Sequence, residues 1–293
     1  MLVLSSFQLE TTSSLRADVA TVLNLSEDHL DRYESYQAYV DAKKRVYRKA
    51  RSEVINRDEP DAPQITLADS ISFGLSSPID NQAFGILESD GVTYLARGNT
   101  RLLDAGKLGL RGRQNWLNAL AALAIVAQFG MDITPPMLDS LCAFKGLTDR
   151  CELIAEESGI AWINDSKGTN VGATLAAIEG FNQPKILIMG GQAKGADLSP
   201  LKAAMAHDVR EVILIGEDAQ KIAKAIEGSV EIYFAQDMED AIDRAACIAV
   251  AGDAVLLSPA CASFDMFQSY AARGDAFRKG VLRQLLTAKG DKA

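Results

Sequence analysis

Residues 185–195 read KILIMGGQAKG, an apolar run (186–189) closed by two glycines and followed by a lysine. A short, uninterrupted apolar run that ends in glycine fits a strand buried on both faces, the kind found in parallel sheets. Similar runs lie on either side: AWI at 161–163, EVILI at 211–215, EIYF at 231–234 and AVLL at 254–257. Helical stretches separate them, at 174–179, 201–207, 219–226 and 238–250. This alternation predicts a parallel sheet with helices on both faces.

Before about residue 146 the texture differs. Residues 17–25 (ADVATVLNL) read as a buried strand, with SEDH (26–29) at its carboxyl end, where open α/β sheets place ligands. Tyr36, Tyr39, Val40, Val46 and Tyr47 recur among charges over 36–50, which predicts a helix, and 52–56 reads as another strand. Residues 65–110 are rich in Gly and Ser with short β-like runs, so irregular β structure is expected. NWLNALAALAIVAQF (115–129) is an Ala/Leu-rich helix stopped by Gly130, and Pro135-Pro136 opens a short one. The expected organisation is α/β throughout. Residues 1–146 form the remainder of a central ATPase-like domain, and 147–293 form a Rossmann-like domain.

The 293 residues carry a formal net charge of -9, with 48% hydrophobic and 24% charged residues. That composition suits two globular domains. With no basic excess to release phosphate counterions, general binding to nucleic acid or an anionic membrane is not expected. No basic segment leads into a long apolar one, so no export signal is read and a cytoplasmic protein is expected. The four cysteines form no C-x-x-C pair and read as reduced thiols. With only two histidines, a multi-histidine metal site is not expected.

Three segments concentrate polar chemistry just past predicted strands. NDSKGTN (164–170) places Asp165, Lys167, Thr169 and Asn170 between a strand and a helix; an N-cap accounts for one or two of them, not all. GGQAKG (190–195) is either a tight turn or a set of exposed N–H groups that, with Lys194, holds an anion. SPACAS (258–263) contains Cys261, a small buried thiol or a nucleophile, with no histidine nearby in sequence to activate it. His29 beside Glu27 and Asp28 is a metal ligand or a polar strand end. Lys43, among Lys44, Arg45, Arg48 and Lys49, reads on its own as part of a solvated helix face. No G-x-x-x-x-G-K-[ST] loop occurs, and no G-x-G-x-x-G follows a predicted strand, which weighs against a dinucleotide-dependent oxidoreductase.

Taken in order, LSSFQLE from Leu4, NLSEDHLDRY from Asn24, AKKRVY from Ala42, RQNWLNALAALA from Arg113 and GLTDRCE from Gly146 resemble the Mur ligase family. INDSKGTNVGAT from Ile163, GGQAKGADLSPL from Gly190 and LLSPACASFDMFQSYAARG from Leu256 continue the resemblance. Within the family they are most similar to the branch that joins D-glutamate to UDP-N-acetylmuramoyl-L-alanine in peptidoglycan synthesis. The resemblance implies an ADP-forming ligase: ATP phosphorylates a carboxylate, and an amine then displaces the phosphate. It implies Mg²⁺ as cofactor, with His29 and Lys43, the latter as its carbamate, as ligands and catalytic residues. It implies ATP contacts at Asn115, Asn118, Arg150 and Asp165. It places Ser5 and Gln8 near the muramoyl substrate, and Thr169, Lys194, Ser263 and Tyr270 around D-glutamate. A monomer is expected.

Two departures accompany the resemblance. The family's glycine-rich ATP loop and UDP-binding domain would precede Leu4, and Val3 stands where the family has a glutamate that binds magnesium. The 293 residues alone are therefore expected to be inactive as a ligase. Two other readings remain: a related ligase of the Mur or folylpolyglutamate type, or a non-catalytic nucleotide-binding remnant.

Overall fold

The computed structural model describes residues 1–26, 32–62, 69–110 and 112–290, with residues 288–290 described by backbone alone. The chain divides into two compact units, Met1–Lys145 and Gly146–Ala293.

The first unit is built on a sheet of order β1 (Val19–Val22), β2 (Ser52–Asn56), β3 (Ile71–Phe73), β4 (Phe84–Ser89), β5 (Val92–Arg97) and β6 (Thr100–Asp104). β1 to β4 run parallel, and β4, β5 and β6 form an antiparallel meander. The meander is more regular than the Gly- and Ser-rich composition suggested. Asp90 and Gly91 both adopt positive φ between β4 and β5, the two-residue turn whose twist matches a hairpin. β1 is shorter than the 17–25 run, although the N–H groups of Arg51 and Ser52 still donate to the carbonyls of Ala17 and Asp18. The apolar face of α3 (Arg113–Gln128) buries Leu120, Leu123 and Ala124 against Val54, Phe73 and Phe84. A smaller core joins α1 (Ser6–Thr11) to α2 (Tyr36–Lys44) through Phe7, Tyr33, Tyr39 and Val40. The helix expected over 36–50 is α2, a 3-10 turn at Arg45–Tyr47 and an extended Arg48. Arg45 breaks it usefully, donating to the carbonyls of Leu9 and Glu10 at the end of α1 (2.9 and 3.0 Å). The short helix opened by Pro135 is α4 (Pro135–Ala143).

The second unit has the predicted parallel sheet, in the order β11 (Glu231–Phe234), β10 (Val209–Ile215), β9 (Lys185–Gly190), β12 (Ala254–Leu257), β8 (Ile160–Asn164) and β7 (Glu152–Glu157). Only β7 is antiparallel; it is a half-exposed edge strand whose glutamates hid it from an apolar-run reading. Alternating strand residues feed two cores, as a period of two requires. Ile163, Leu187, Met189, Val212, Leu214 and Leu256 pack under α5 (Val171–Gly180), α6 (Pro200–Ala204) and α7 (Ala219–Ala225). Trp162, Ile186, Ile188, Ile213 and Val255 pack under α8 (Met238–Ile248) and α9 (Tyr270–Gly290). The fold is thus α/β, with helices on both faces of the second sheet.

The carboxyl ends of β8, β9, β10 and β12 emerge together. Gly190 and Gly191 (φ +128° and +125°) lie so close to neighbouring backbone that a Cβ would run into the carbonyl oxygens of Ile215 and Ala262. Gly190→Ala is therefore expected to destabilise the second unit by about 2 kcal/mol or more. The check is urea unfolding in a Trp116→Phe background, where Trp162 is the sole indole reporter. An unchanged midpoint would show that this approach is not needed.

Candidate active site at the carboxyl ends of the C-terminal sheet

Four segments meet where the parallel strands of the second unit end: 164–170 after β8, 190–195 after β9, 216–218 after β10 and 258–263 after β12. Backbone hydrogen bonds knit them together. Gln192 and Ala262 exchange both N–H···O bonds (2.9 and 3.0 Å), Gly190 donates to Pro259 and Ala260 to Gly168 (3.0 Å each), and Asp218 donates to Gly191 (3.0 Å). Asp218 Oδ2 in turn accepts from the Ala193 N–H at 2.8 Å, fixing the turn that carries Lys194. Lys194 itself has φ +51° and Ala260 φ +58°, left-handed conformations that cost a non-glycine residue free energy and are held by these bonds.

Asp165 is 7% exposed. Its Oδ1 accepts from the Cys151 N–H (3.2 Å) and its Oδ2 from the Ser258 hydroxyl (2.9 Å), which lies 3.1 Å from Thr174 Oγ1. Burial outweighs these bonds and the nearby Arg150, and pushes the carboxyl up to about 6. Beside it, Asn164 donates to Asp149 Oδ1 at 2.8 Å, and burial also raises Asp149. Asp149 and Cys151 both adopt positive φ, so exposed Arg150 stands between two strained and anchored neighbours.

Cations and aromatics pair at the rim. Lys167 Nζ lies 4.0 Å from the centre of the exposed Tyr270 ring, and Lys194 Nζ lies 5.3 Å from that of Phe264, which is 64% exposed. The rim thus offers two ammonium groups on aromatic platforms, an arrangement suited to anions. Thr169 is half-buried and Ser263 buried in the same group of loops. Cys261 is fully buried, and burial pushes its thiol up to about 12, so it is a packed thiol rather than a nucleophile.

Sequence reasoning singled out Asp165, Thr169, Lys194, Ser263 and Tyr270; the fold carries the first four on this one group of strand-end segments and Tyr270 at the start of α9, against Lys167 of the same group. It did not single out Arg273, Ser258, Thr174, Asp149 or Asn164. Arg273 is the most consequential: on the first turn of α9 it is 1% exposed, and no sequence pattern separates such an arginine from a solvated one.

The first unit holds the remaining candidates. Ser5 and Gln8 form a capping box on α1: the Gln8 N–H donates to Ser5 Oγ (3.2 Å), and the Ser5 N–H to Gln8 Oε1 (2.9 Å). Asn115 and Asn118 sit on the first turns of α3, Asn118 donating to Asn115 Oδ1 at 3.3 Å. Lys43 is in the last turn of α2, its Nζ 5.6 Å from the centre of the Tyr39 ring. His29 lies outside the described residues. Among the described residues, no group of three or more His, Cys, Asp or Glu side chains is placed to hold a metal ion. As an ammonium, Lys43 has the wrong charge for one, so the described residues do not by themselves make a magnesium site.

Two family models match the chain: the Mur ligase middle domain over residues 4–126, and the Mur ligase, glutamate ligase domain over 149–261. The chain belongs to the Mur ligase family. A UDP-N-acetylmuramoylalanine–D-glutamate ligase of Nitrosospira multiformis is 49% identical over 96% of this chain. Ligases of the same name from Hahella chejuensis and Pseudomonas aeruginosa are 48% and 47% identical over 95% and 96% of it. The chain spans 60%, 63% and 64% of the lengths of these three relatives. Among solved structures, the UDP-N-acetylmuramate-alanine ligase of Thermotoga maritima superposes with a TM-score of 0.64 at 17% identity, over 97% of this chain and 62% of its own. A folylpolyglutamate synthase of Mycobacterium tuberculosis gives 0.63 at 18%, over 91% and 64%. These two share the Mur ligase fold. The glutamate ligase domain match takes in Arg150, Asp165, Thr169 and Lys194, while Ser263, Tyr270 and Arg273 lie just beyond it.

The raised Asp165 sets a pH dependence. Unfolded, its carboxyl titrates near 3.9. Between that value and about 6 the folded chain holds a proton that the unfolded chain does not, so stability falls as pH rises through this window. Asp165→Asn removes this dependence, and the stability difference should shift by about 2 kcal/mol in the variant's favour between pH 4 and pH 7. Urea titrations at several pH values measure it. A difference that does not change with pH would show that Asp165 titrates normally.

Proposed function

We propose that the protein to which this chain belongs joins D-glutamate to UDP-N-acetylmuramoyl-L-alanine at the expense of ATP, in peptidoglycan precursor synthesis. The observation that carries this reading is the set of groups on the C-terminal strand ends. Lys194, Thr169 and Ser263 supply one cation and two hydroxyls, which match an amino acid with two carboxylates. Relatives 45–49% identical, all named for this reaction, support the same choice.

The chemistry runs in two steps. The terminal carboxylate of the muramoyl substrate attacks the γ-phosphorus of ATP, giving an acyl phosphate and ADP. The D-glutamate amine, having lost its proton, attacks the acyl carbon. The C–O bond to phosphate breaks, and the amide remains. In this reading Lys194 neutralises a carboxylate of the incoming amino acid, Thr169 and Ser263 hydrogen-bond to it, and Tyr270 closes one side with an aromatic wall. Holding the amine against the carbonyl replaces a bimolecular encounter with a positioned one. By the resemblance, Asn115, Asn118, Arg150 and Asp165 are assigned to the nucleotide. Ser5 and Gln8 are assigned to the muramoyl substrate, alongside their capping role. Mg²⁺ would accompany ATP and neutralise its phosphates, with His29 and a carbamylated Lys43 as ligands. In this reading the protein works in the cytoplasm as a monomer.

The test joins this chain to the part of the Nitrosospira multiformis relative that it does not match, and follows phosphate release with ATP and Mg²⁺. Release should require both UDP-N-acetylmuramoyl-L-alanine and D-glutamate. Equal release with L-lysine or a diamino acid would point to another Mur-type ligase. In the same assay Lys194→Ala should raise the KM for D-glutamate about ten- to a hundredfold through loss of a charge-assisted contact. An unchanged KM would remove Lys194 from the site.

A further inference from the structure

Arg273 is among the largest fully buried side chains in the chain, and every hydrogen-bond partner described for it is a carbonyl or hydroxyl oxygen. Nε donates to Ser166 Oγ (3.0 Å) and Nη2 to the Ser166 carbonyl (3.0 Å). Nη1 donates to the carbonyls of Gly190 (3.3 Å) and Cys261 (3.1 Å). Ser166 Oγ passes its own proton to the Tyr270 carbonyl at 2.7 Å, closing a ring back onto the helix that bears Arg273. No carboxylate is among these partners. Burying a guanidinium is costly; that burial outweighs the favourable charges of Asp265, Asp149 and Asp165 nearby and lowers Arg273 to about 10, still charged near neutrality. A hydrophobic residue would fill the volume without that cost, so what the guanidinium supplies is its fork of donors.

The three segments it touches are the ones that matter for the proposed site. Ser166 is three residues before Thr169, Gly190 four before Lys194 and Cys261 two before Ser263, and Tyr270 is one turn back along Arg273's own helix. We propose that Arg273 is a positioning residue for the amino-acid site: its planar fork locks the ends of β8, β9 and β12, and the start of α9, into the one arrangement that brings Thr169, Lys194, Ser263 and Tyr270 together. This rests on the reading of that site as the D-glutamate pocket. Arg273 acts through the backbone and does not touch the amino acid. The sheet beneath has its own support, since Phe277 and Val281 of α9 are buried against Trp162, Ile186 and Val255. Loss of the fork should therefore loosen the loops and leave the sheet folded.

The experiment compares Arg273→Met, which loses charge and fork, with Arg273→Lys, which keeps the charge but offers no planar fork. Amide hydrogen exchange on the 293-residue chain reads positioning directly. In both variants the N–H groups of Gly190, Gln192, Ala260 and Ala262 should exchange about tenfold faster or more, while Ala235, bonded to Leu214 between β10 and β11, keeps its protection. Unchanged protection at the four loop amides would overturn the proposal, as would restoration of full protection by Lys, which would make charge alone sufficient. Where Met unfolds the chain, Lys carries the same test. Kinetics of the joined ligase form the second readout. The KM for D-glutamate should rise about tenfold or more in folded Arg273→Lys, with the KM for ATP little changed. Equal rises in both would mean a general structural role and overturn the assignment to the amino-acid site. Failure of the parent ligase to use D-glutamate would count against the substrate reading alone, because the exchange result stands apart from it.

Discussion

The backbones leaving β9 and β12 approach closely enough to exchange two hydrogen bonds between Gln192 and Ala262, and the site hangs from that approach. The approach excludes a side chain at Gly190 and Gly191, whose positions are hemmed in by carbonyl oxygens. It also turns several carbonyls inward, away from water, where each needs a donor. Arg273 meets three of those needs with one planar group, and the Ser166 hydroxyl and the Asp218 N–H meet those of Tyr270 and Gly191. A buried polar network of this kind is stable only when its members are all satisfied, and it then permits few alternatives. That rigidity is what presents exposed Lys194 on a strained turn at a defined place.

The same dryness has a cost. Asp165 would be ionised in water at neutral pH with little penalty; in this site burial opposes its charge, against the bonds from Cys151 and Ser258. Asp149, Cys151, Lys194 and Ala260 all hold left-handed backbone, and all lie in the strand-end loops or beside them. Strain and unfavourable ionisation gathered in one region mark a part of the molecule shaped for binding at the expense of stability. The apolar layers on either face of the sheet offset it, since the central strands are buried on both sides.

Much of this was legible in the sequence, for physical reasons. Buried parallel strands must be apolar along their length, so KILIM, EVILI and AVLL announced β9, β10 and β12. Loops at their carboxyl ends needed polar side chains, so NDSKGTN, GGQAKG and SPACAS stood out. What failed to show was local structure without an apolar signature. β7 is a glutamate-bearing edge strand, and α9 follows a loop with no strong cap signal. The β4–β5 hairpin was legible in principle from Asp90-Gly91 but was masked by Gly- and Ser-rich surroundings. Arg273 was hidden for a deeper reason, because its partners lie 12 to 107 residues away in sequence. Ser5 and Gln8 had the opposite fate: resemblance assigned them to a substrate, and the fold also gives them a helix cap.

The central claim is that the strand ends of the second unit form one amino-acid site centred on Lys194. The most direct measurement is a crystal structure of this chain soaked with D-glutamate. The account predicts the amino acid at the carboxyl ends of β8, β9 and β12, with one carboxylate within hydrogen-bonding distance of Lys194 Nζ and Thr169 or Ser263 on the same molecule. D-glutamate bound elsewhere on the second unit, with these loops empty, would contradict it.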